Sequence, residues 1–226
     1  MWQAMTHLDP RANELYRFAD EIRAVSSGFS IRSRRYDHAT GKMSAPRLLK
    51  SNDYIIVTGL HALYLPYLRE LYDLKIYLDM DDALRRHYKI QRDMEHRGYS
   101  RENAVAELKK RESDAQAYIR PQIKHADLVL SIRPLHEEIL GHIGMPLRLE
   151  LRVEAHNGMN HENLVRVLIA VCGLHVDSAE GADHSVALTI AGEVDSENIG
   201  FAARELVPQL SELLDVDPVW HGGTLG

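Results

Sequence analysis

A chain of 226 residues, 45% hydrophobic and 27% charged, has the make-up of a globular protein with one substantial core, or a domain bearing a smaller appendage. Its formal net charge of -6 excludes a general nucleic-acid binder, because no broad basic surface offsets the acids. The single cysteine, Cys172, excludes an intrachain disulfide, and the 13 histidines show no clustered metal-ligand spacing. No apolar run approaches the ~20 residues of a bilayer span. Residues 1–7 also lack the basic segment and apolar core of a secretory leader, so a cytoplasmic protein without membrane contact is expected.

In chain order, residues 7–13 (HLDPRAN) form a turn-rich opening with Pro10 suited to the first turn of a helix. Leu15, Phe18, Ala19, Ile22 and Val25 continue that helix as an apolar stripe, and Ser26-Ser27-Gly28 ends it. A polar segment follows over residues 31–50, with Arg32, Arg34 and Arg35 read as a solvated basic loop and Tyr36-Asp37-His38-Ala39-Thr40-Gly41 beyond them. Residues 53–61 read as a short, fully buried strand running into a tight turn, since continuous β-branched residues suit a parallel strand covered on both faces. Residues 63–71 read as helical with Pro66 in the first turn, and residues 74–78 as a second strand.

The chain is organised around the basic stretch at residues 87–98, HYKIQRDMEHRG. A helix beginning near Asp81 carries Lys89 and Arg92 one turn apart on one face, and Arg97 arrives just before Gly98, which suits a helix stop. Three cations beside a strand terminus can hold phosphates by charge-assisted hydrogen bonds, although such a run alone also reads as a solvated helix face. Ser100 then caps a helix running to about Tyr118, Pro121 closes it, and residues 127–132 make a third strand. This alternation predicts an α/β fold with a parallel sheet and helices on both faces. Ligands collect at the carboxyl ends of strands in such folds, where Thr58 to His61, Asp79 and the basic helix fall. Beyond Leu135 the texture becomes α+β: weak alternation over 146–154, a helix from Asn160 through a buried Cys172, a strand over 185–190, and a helical region over 196–214 kinked at Pro208.

The ordered blocks HLDPRAN, YDHATG, YIIVTGLH, DLKIYLD, KIQRDMEHRG and DAQAYIRPQIKHADLVL, between Thr6 and Pro134, resemble the phosphoribulokinase and uridine kinase family. HLDPRAN and YDHATG favour its phosphoribulokinase side; LTIAGEVDSENI and WHGGTLG are more loosely similar to the carboxyl-terminal part of the plant and cyanobacterial type. The resemblance implies a kinase-like α/β domain over 1–135 and an α+β extension over 136–226 packed on it. It implies transfer of the γ-phosphoryl group of ATP, with Mg²⁺, to O1 of ribulose 5-phosphate, by positioning and charge stabilisation. His38, Lys89 and Arg97 would then hold the sugar phosphate, with Arg92 near the transferring phosphate as the catalytic cation. Asp93 would orient its neighbours, and Tyr36 either packs against the sugar or is structural. His61 reads as structural, and a homo-oligomer is implied.

Two departures from the family pattern stand out. No G-x-x-x-x-G-K-[ST] phosphate loop occurs in the 226 residues, so the sheet is expected to be an incomplete P-loop kinase-like one, and a truncated start and a chain inactive alone are expected. Thr58 occupies the position of the family's glutamate, a degenerate magnesium position offering a neutral hydroxyl. The alternatives are a non-catalytic paralogue, serving as sugar-phosphate sensor or assembly partner, and a uridine kinase-like nucleoside kinase. With Cys172 alone, the internal thiol-disulfide switching of the plant type is not available.

Overall fold

The computed structural model describes residues 6–34, 36–37, 41–136, 140, 147–156 and 160–207. Helix α1 spans Leu15–Ser26, followed by β1 (Ile31–Ser33), β2 (Tyr36–Asp37), β3 (Lys42–Met43), β4 (Arg47–Leu49) and the short helix α2 (Pro66–Arg69). Strand β5 (Ile76–Met80) leads into the long helix α3 (Asp82–Arg97) and then α4 (Arg101–Asp114). The remaining elements are β6 (Leu128–Pro134), β7 (Leu149–Ala155), α5 (Glu162–Ala170), β8 (His175–Glu180), β9 (Val186–Ala191) and α6 (Ser196–Leu206). They gather into two compact units, one of Met1–Tyr77 with Arg92–Ala126, the other of Leu78–Gln91 with Asp127–Gly226.

In the first unit, the apolar stripe of α1 does what its spacing demands. Leu15 and Ala19 are buried against Leu65 and Leu68 of the α2 region, with Phe18 and Ile22 packed alongside. Asp9 caps the turn before α1 by accepting from the Arg11 backbone N–H at 2.8 Å, and Pro10 starts a short 3-10 turn there. Two antiparallel ladders lie in the polar segment: Ile31 opposes Leu49 in β1–β4, and Tyr36 opposes Met43 in β2–β3. Gln122, itself buried, accepts from the Leu63 N–H at 3.0 Å and donates to the carbonyls of Leu60 and Tyr118, each at 2.8 Å. That side chain ties the turn after Gly59 to the helical segment before β6.

The second unit is built on a five-stranded sheet of order β5-β6-β7-β9-β8. Val153, Val186 and Leu188 form its core beneath Leu164 and Val165 of α5, and Cys172, Leu174 and Ala202 form a second cluster with α6. Cys172 is a buried free thiol, as its apolar surroundings in the chain imply.

The α/β class holds, with one qualification of topology. The pairings β6–β7, β7–β9 and β9–β8 all run antiparallel, because the extension beyond Leu135 folds its strands into the same sheet. Residues 53–58 are not a buried strand: they adopt no regular structure, and Tyr54 and Ile56 are 65% and 88% exposed. β-Branched composition describes a surface suited to a pleated sheet, and no strand among the described residues pairs with this segment. Pro121 does not close the α4 region either; it starts a further 3-10 segment, Arg120–His125, where its missing N–H is tolerated. Strand β8 carries four exposed polar or charged positions and so lacks an alternating signal. The expected kink at Pro208 lies outside the described residues.

Candidate functional site

Helix α3 begins on a built cap. Asp81 accepts from the backbone N–H groups of Ala83 and Leu84 at 2.9 and 3.0 Å, and Leu84 is fully buried. Arg85 donates to Asp82 at 2.7 Å and to the Met80 carbonyl at 2.6 Å, holding the turn between β5 and the helix.

The carboxyl-terminal end of the same helix carries the charged cluster. Asp93 is only 1% exposed, and its Oδ1 accepts from Arg92 Nη2 at 3.2 Å and Nε at 3.4 Å. Arg97, one turn later, places Nη1 3.3 Å from that same oxygen. Both arginine side chains keep part of their surface in solvent, 32% for Arg92 and 47% for Arg97. A buried carboxylate thus fixes two half-exposed guanidinium forks, whose remaining N–H groups are geometrically suited to phosphate oxygens. The helix stops as Gly98 turns left-handed at φ +64 and the Tyr99 N–H bonds back to the Asp93 carbonyl at 3.0 Å. Ser100 then caps α4, accepting from the Asn103 N–H at 3.2 Å.

A separate cavity of about 400 Å³ in the first unit is lined by Arg17, Phe18, Arg34, Thr58, Leu60 and His61, among others. Neither Arg92 nor Arg97 lines it. Arg17 is held between Glu14 at 3.4 Å and Glu21 at 3.1 Å, so these acids at the cavity are already engaged. His61 is buried and its ring nitrogens make no well-formed hydrogen bond; Tyr64 lies edge-on to the ring at 5.8 Å. Burial pushes the imidazole below its ordinary value, outweighing the nearby His7 backbone and Asp9, which favour the charged ring.

Of the residues read from the sequence, Arg92 and Arg97 come together on Asp93. Lys89 stands three residues before Arg92 on α3, half-buried, in the stretch of the helix that belongs to the second unit. Tyr36 has its backbone in β2, and its side chain lies outside the description; His38 lies outside the described residues altogether. Thr58 is exposed beside the cavity. The Thr58 hydroxyl is a neutral donor, a weaker magnesium ligand than a carboxylate, and among the described residues no group of three or more His, Cys, Asp or Glu is arranged to hold a metal ion. Gln122, which clamps the turn after Thr58, was not legible as a site residue, since an isolated glutamine in a helical run carries no local signal.

The arrangement of elements is that of a mixed α/β protein, similar in fold to a solved phosphoribulokinase from Rhodobacter spheroides, with a TM-score of 0.63, 20% identity, and coverage of 92% of this chain and 75% of that one. The phosphoribulokinase/uridine kinase family matches residues 2–137, and the chain belongs to that family. Phosphoribulokinase from Synechocystis is 39% identical over 130 residues, covering 58% of this chain and 39% of the relative. The chloroplastic phosphoribulokinase of Mesembryanthemum crystallinum is 37% identical over 132 residues, covering 58% and 33%. Uridine kinase from Macrococcus caseolyticus is 32% identical over 120 residues, covering 52% and 57%. The chain therefore spans between a third and two fifths of the length of these two phosphoribulokinases. Among the described residues, no helix is long and apolar enough to cross a membrane.

Proposed function

We propose that this chain is the sugar-phosphate-holding part of a phosphoribulokinase-type transferase, with ribulose 5-phosphate as its ligand. The observation that carries the reading is the Arg92–Asp93–Arg97 cluster, in which one buried carboxylate pre-sets two guanidinium forks. Pre-setting matters because long cations lose rotamer freedom on binding, and that loss is already incurred in the folded chain. Arg97 holds the sugar phosphate by a fork onto its oxygens, and Lys89 adds a compact charge. His38 donates to a phosphate or hydroxyl oxygen, Tyr36 packs against the sugar, and Arg92 stabilises charge on the transferring phosphate. Asp93 is a positioning residue.

ATP, when bound, supplies the phosphoryl group; the 226 residues hold no G-x-x-x-x-G-K-[ST] loop to cradle it, so this chain alone binds the sugar phosphate without phosphorylating it. The kinase-like part is residues 1–135, the remainder an extension, and the setting is cytoplasmic.

Calorimetric titration of the 226-residue chain with ribulose 5-phosphate tests this. Binding that weakens at least tenfold in Arg97→Ala and in Arg92→Ala is expected, with no ATP-dependent product. Absence of binding, or binding indifferent to both arginines, overturns the reading. The uridine kinase likeness supplies the second reading, and uridine in place of the sugar phosphate discriminates the two: a nucleoside that binds when the sugar phosphate does not makes the chain a nucleoside-kinase relative.

A further inference from the structure

We infer that Arg69, Lys124 and His125 form an anion-binding site that takes a phosphate group by its oxygens. The three basic side chains reach one place because a single turn is gripped from two directions. Arg69, in the last turn of α2, donates through Nη1 to the carbonyls of Leu63 and Tyr64 at 3.1 and 3.3 Å. The Leu63 N–H of that turn is held in its turn by the buried Gln122, three residues before His125 in the 3-10 segment Arg120–His125. Lys124 and His125 close that segment, so the clamp fixes them against the turn that Arg69 holds.

Nothing acidic answers this charge. Among the described residues no carboxylate pairs with Arg69, Lys124 or His125, and Nε and Nη2 of Arg69 make no hydrogen bond. Partial burial, then Arg69, then Lys124 hold the His125 ring below its ordinary pKa, and no acid opposes them. A helix C-terminus favours basic residues, which accounts for Lys124 and His125 singly but not for a third base brought in from α2. An anion relieves like charges held together in this way. Lys124 is exposed and the other two are half-buried, so the cluster is open to a ligand from solvent. A planar carboxylate meets two donors; a tetrahedral phosphate offers oxygens to the Arg69 fork, the Lys124 ammonium and the His125 ring together. The chemistry is that of inorganic phosphate or of a phosphomonoester. The site shares no residue with the Arg92–Asp93–Arg97 cluster and does not rest on the sugar-phosphate reading.

Proton NMR of the full chain during titration with inorganic phosphate provides the test, the His125 ring resonances being assigned by their loss in His125→Gln. A saturable shift of those resonances is expected, with none from chloride at matched ionic strength. The shift should persist in Arg97→Ala, and its midpoint should rise about tenfold in Lys124→Ala, the loss of one charge-assisted hydrogen bond. Lys124 is exposed and makes no described hydrogen bond, so that variant should keep the far-ultraviolet circular dichroism of the parent. Arg69→Lys, which retains the charge without the fork, should weaken the midpoint too. Titration of Arg97→Ala with ribulose 5-phosphate separates the two sources: a tighter midpoint than that of inorganic phosphate assigns the site to a phosphomonoester, a weaker one to the free ion. His125 resonances that stay still, that move equally with chloride, or that respond unchanged in Lys124→Ala overturn the inference. So does a shift lost in Arg97→Ala, which would place the phosphate on α3.

Discussion

Arg97 folds back one helical turn onto Asp93, its Nη1 3.3 Å from a carboxylate oxygen that Arg92 also engages. The carboxylate is 1% exposed, so its charge needs partners, and the two guanidinium groups are among them. Removing the acid strands two neighbouring cations on one helix end; removing an arginine leaves a buried anion short of a partner. Asp93→Ala is therefore expected to lower the stability of the folded chain by about 2–4 kcal/mol, towards the lower end because both arginines are partly hydrated. Urea unfolding measures it, and a loss below half of that range would show that the cluster is held by something other than this carboxylate.

Conservative replacement of one partner separates charge from shape. Arg97→Lys retains the positive charge beside Asp93 but loses the planar fork. Stability should change little, about 0.5–1 kcal/mol, while ribulose 5-phosphate binding weakens by about tenfold, the worth of roughly one charge-assisted hydrogen bond. Thermal denaturation and calorimetry on the same variant supply both numbers. Equal losses in the two would assign Arg97 a structural role alone.

Gly98 gives a test of how the cluster is positioned. Its φ of +64 is required for the Tyr99 N–H to reach the Asp93 carbonyl, and a Cβ there would meet nothing within 4 Å. The cost of Gly98→Ala is therefore backbone strain alone, about 1–2 kcal/mol, without any clash to relax. Chemical denaturation checks the magnitude. A neutral effect would mean that the helix can end without the left-handed residue.

These local features were the legible part of the chain. Asp81, Gly98 and Ser100 act on backbone groups within six residues of themselves, so their neighbours in sequence are their neighbours in space. The Arg92–Asp93–Arg97 cluster is readable for the same reason, since helical geometry brings i and i+4 together whatever surrounds them. Residues 53–58 show the opposite case: a strand is a strand only beside another, and a run of β-branched residues does not reveal whether a partner exists. The ladders β1–β4 and β2–β3 were hidden because short, polar strands carry no alternation, and their pairing depends on contacts across 5 to 18 residues. Gln122 reaches 59 residues back to Leu63, beyond any local pattern.

The buried amide of Gln122 makes a sharp prediction of its own. Its oxygen satisfies the Leu63 N–H, and its nitrogen satisfies two carbonyls, from Leu60 and Tyr118. Gln122→Leu keeps most of the volume but leaves one donor and two acceptors without their partner. A loss of about 2–3 kcal/mol is expected, together with faster hydrogen exchange at the Leu63 amide. Exchange unchanged at that amide would show that water replaces the clamp.

The pH dependence of stability follows from His61. Burial lowers the pKa of its ring in the folded chain below the ordinary value of 6.5 that it regains on unfolding. At pH above that value the ring is neutral in both states and contributes no pH dependence. As pH falls through 6.5, the unfolded chain takes up a proton that the folded chain resists, so stability declines with acidification. The buried ring nitrogens have no well-formed partner to soften this, although Asp9 and the His7 backbone partly favour the charged form. His61→Phe keeps the edge-on packing against Tyr64 and removes the titration, so its stability should vary less between pH 7.5 and pH 5.5 than that of the parent chain. Urea unfolding at the two pH values measures the difference. An identical decline in both proteins would place the acid sensitivity on another group and leave His61 a neutral packing residue throughout.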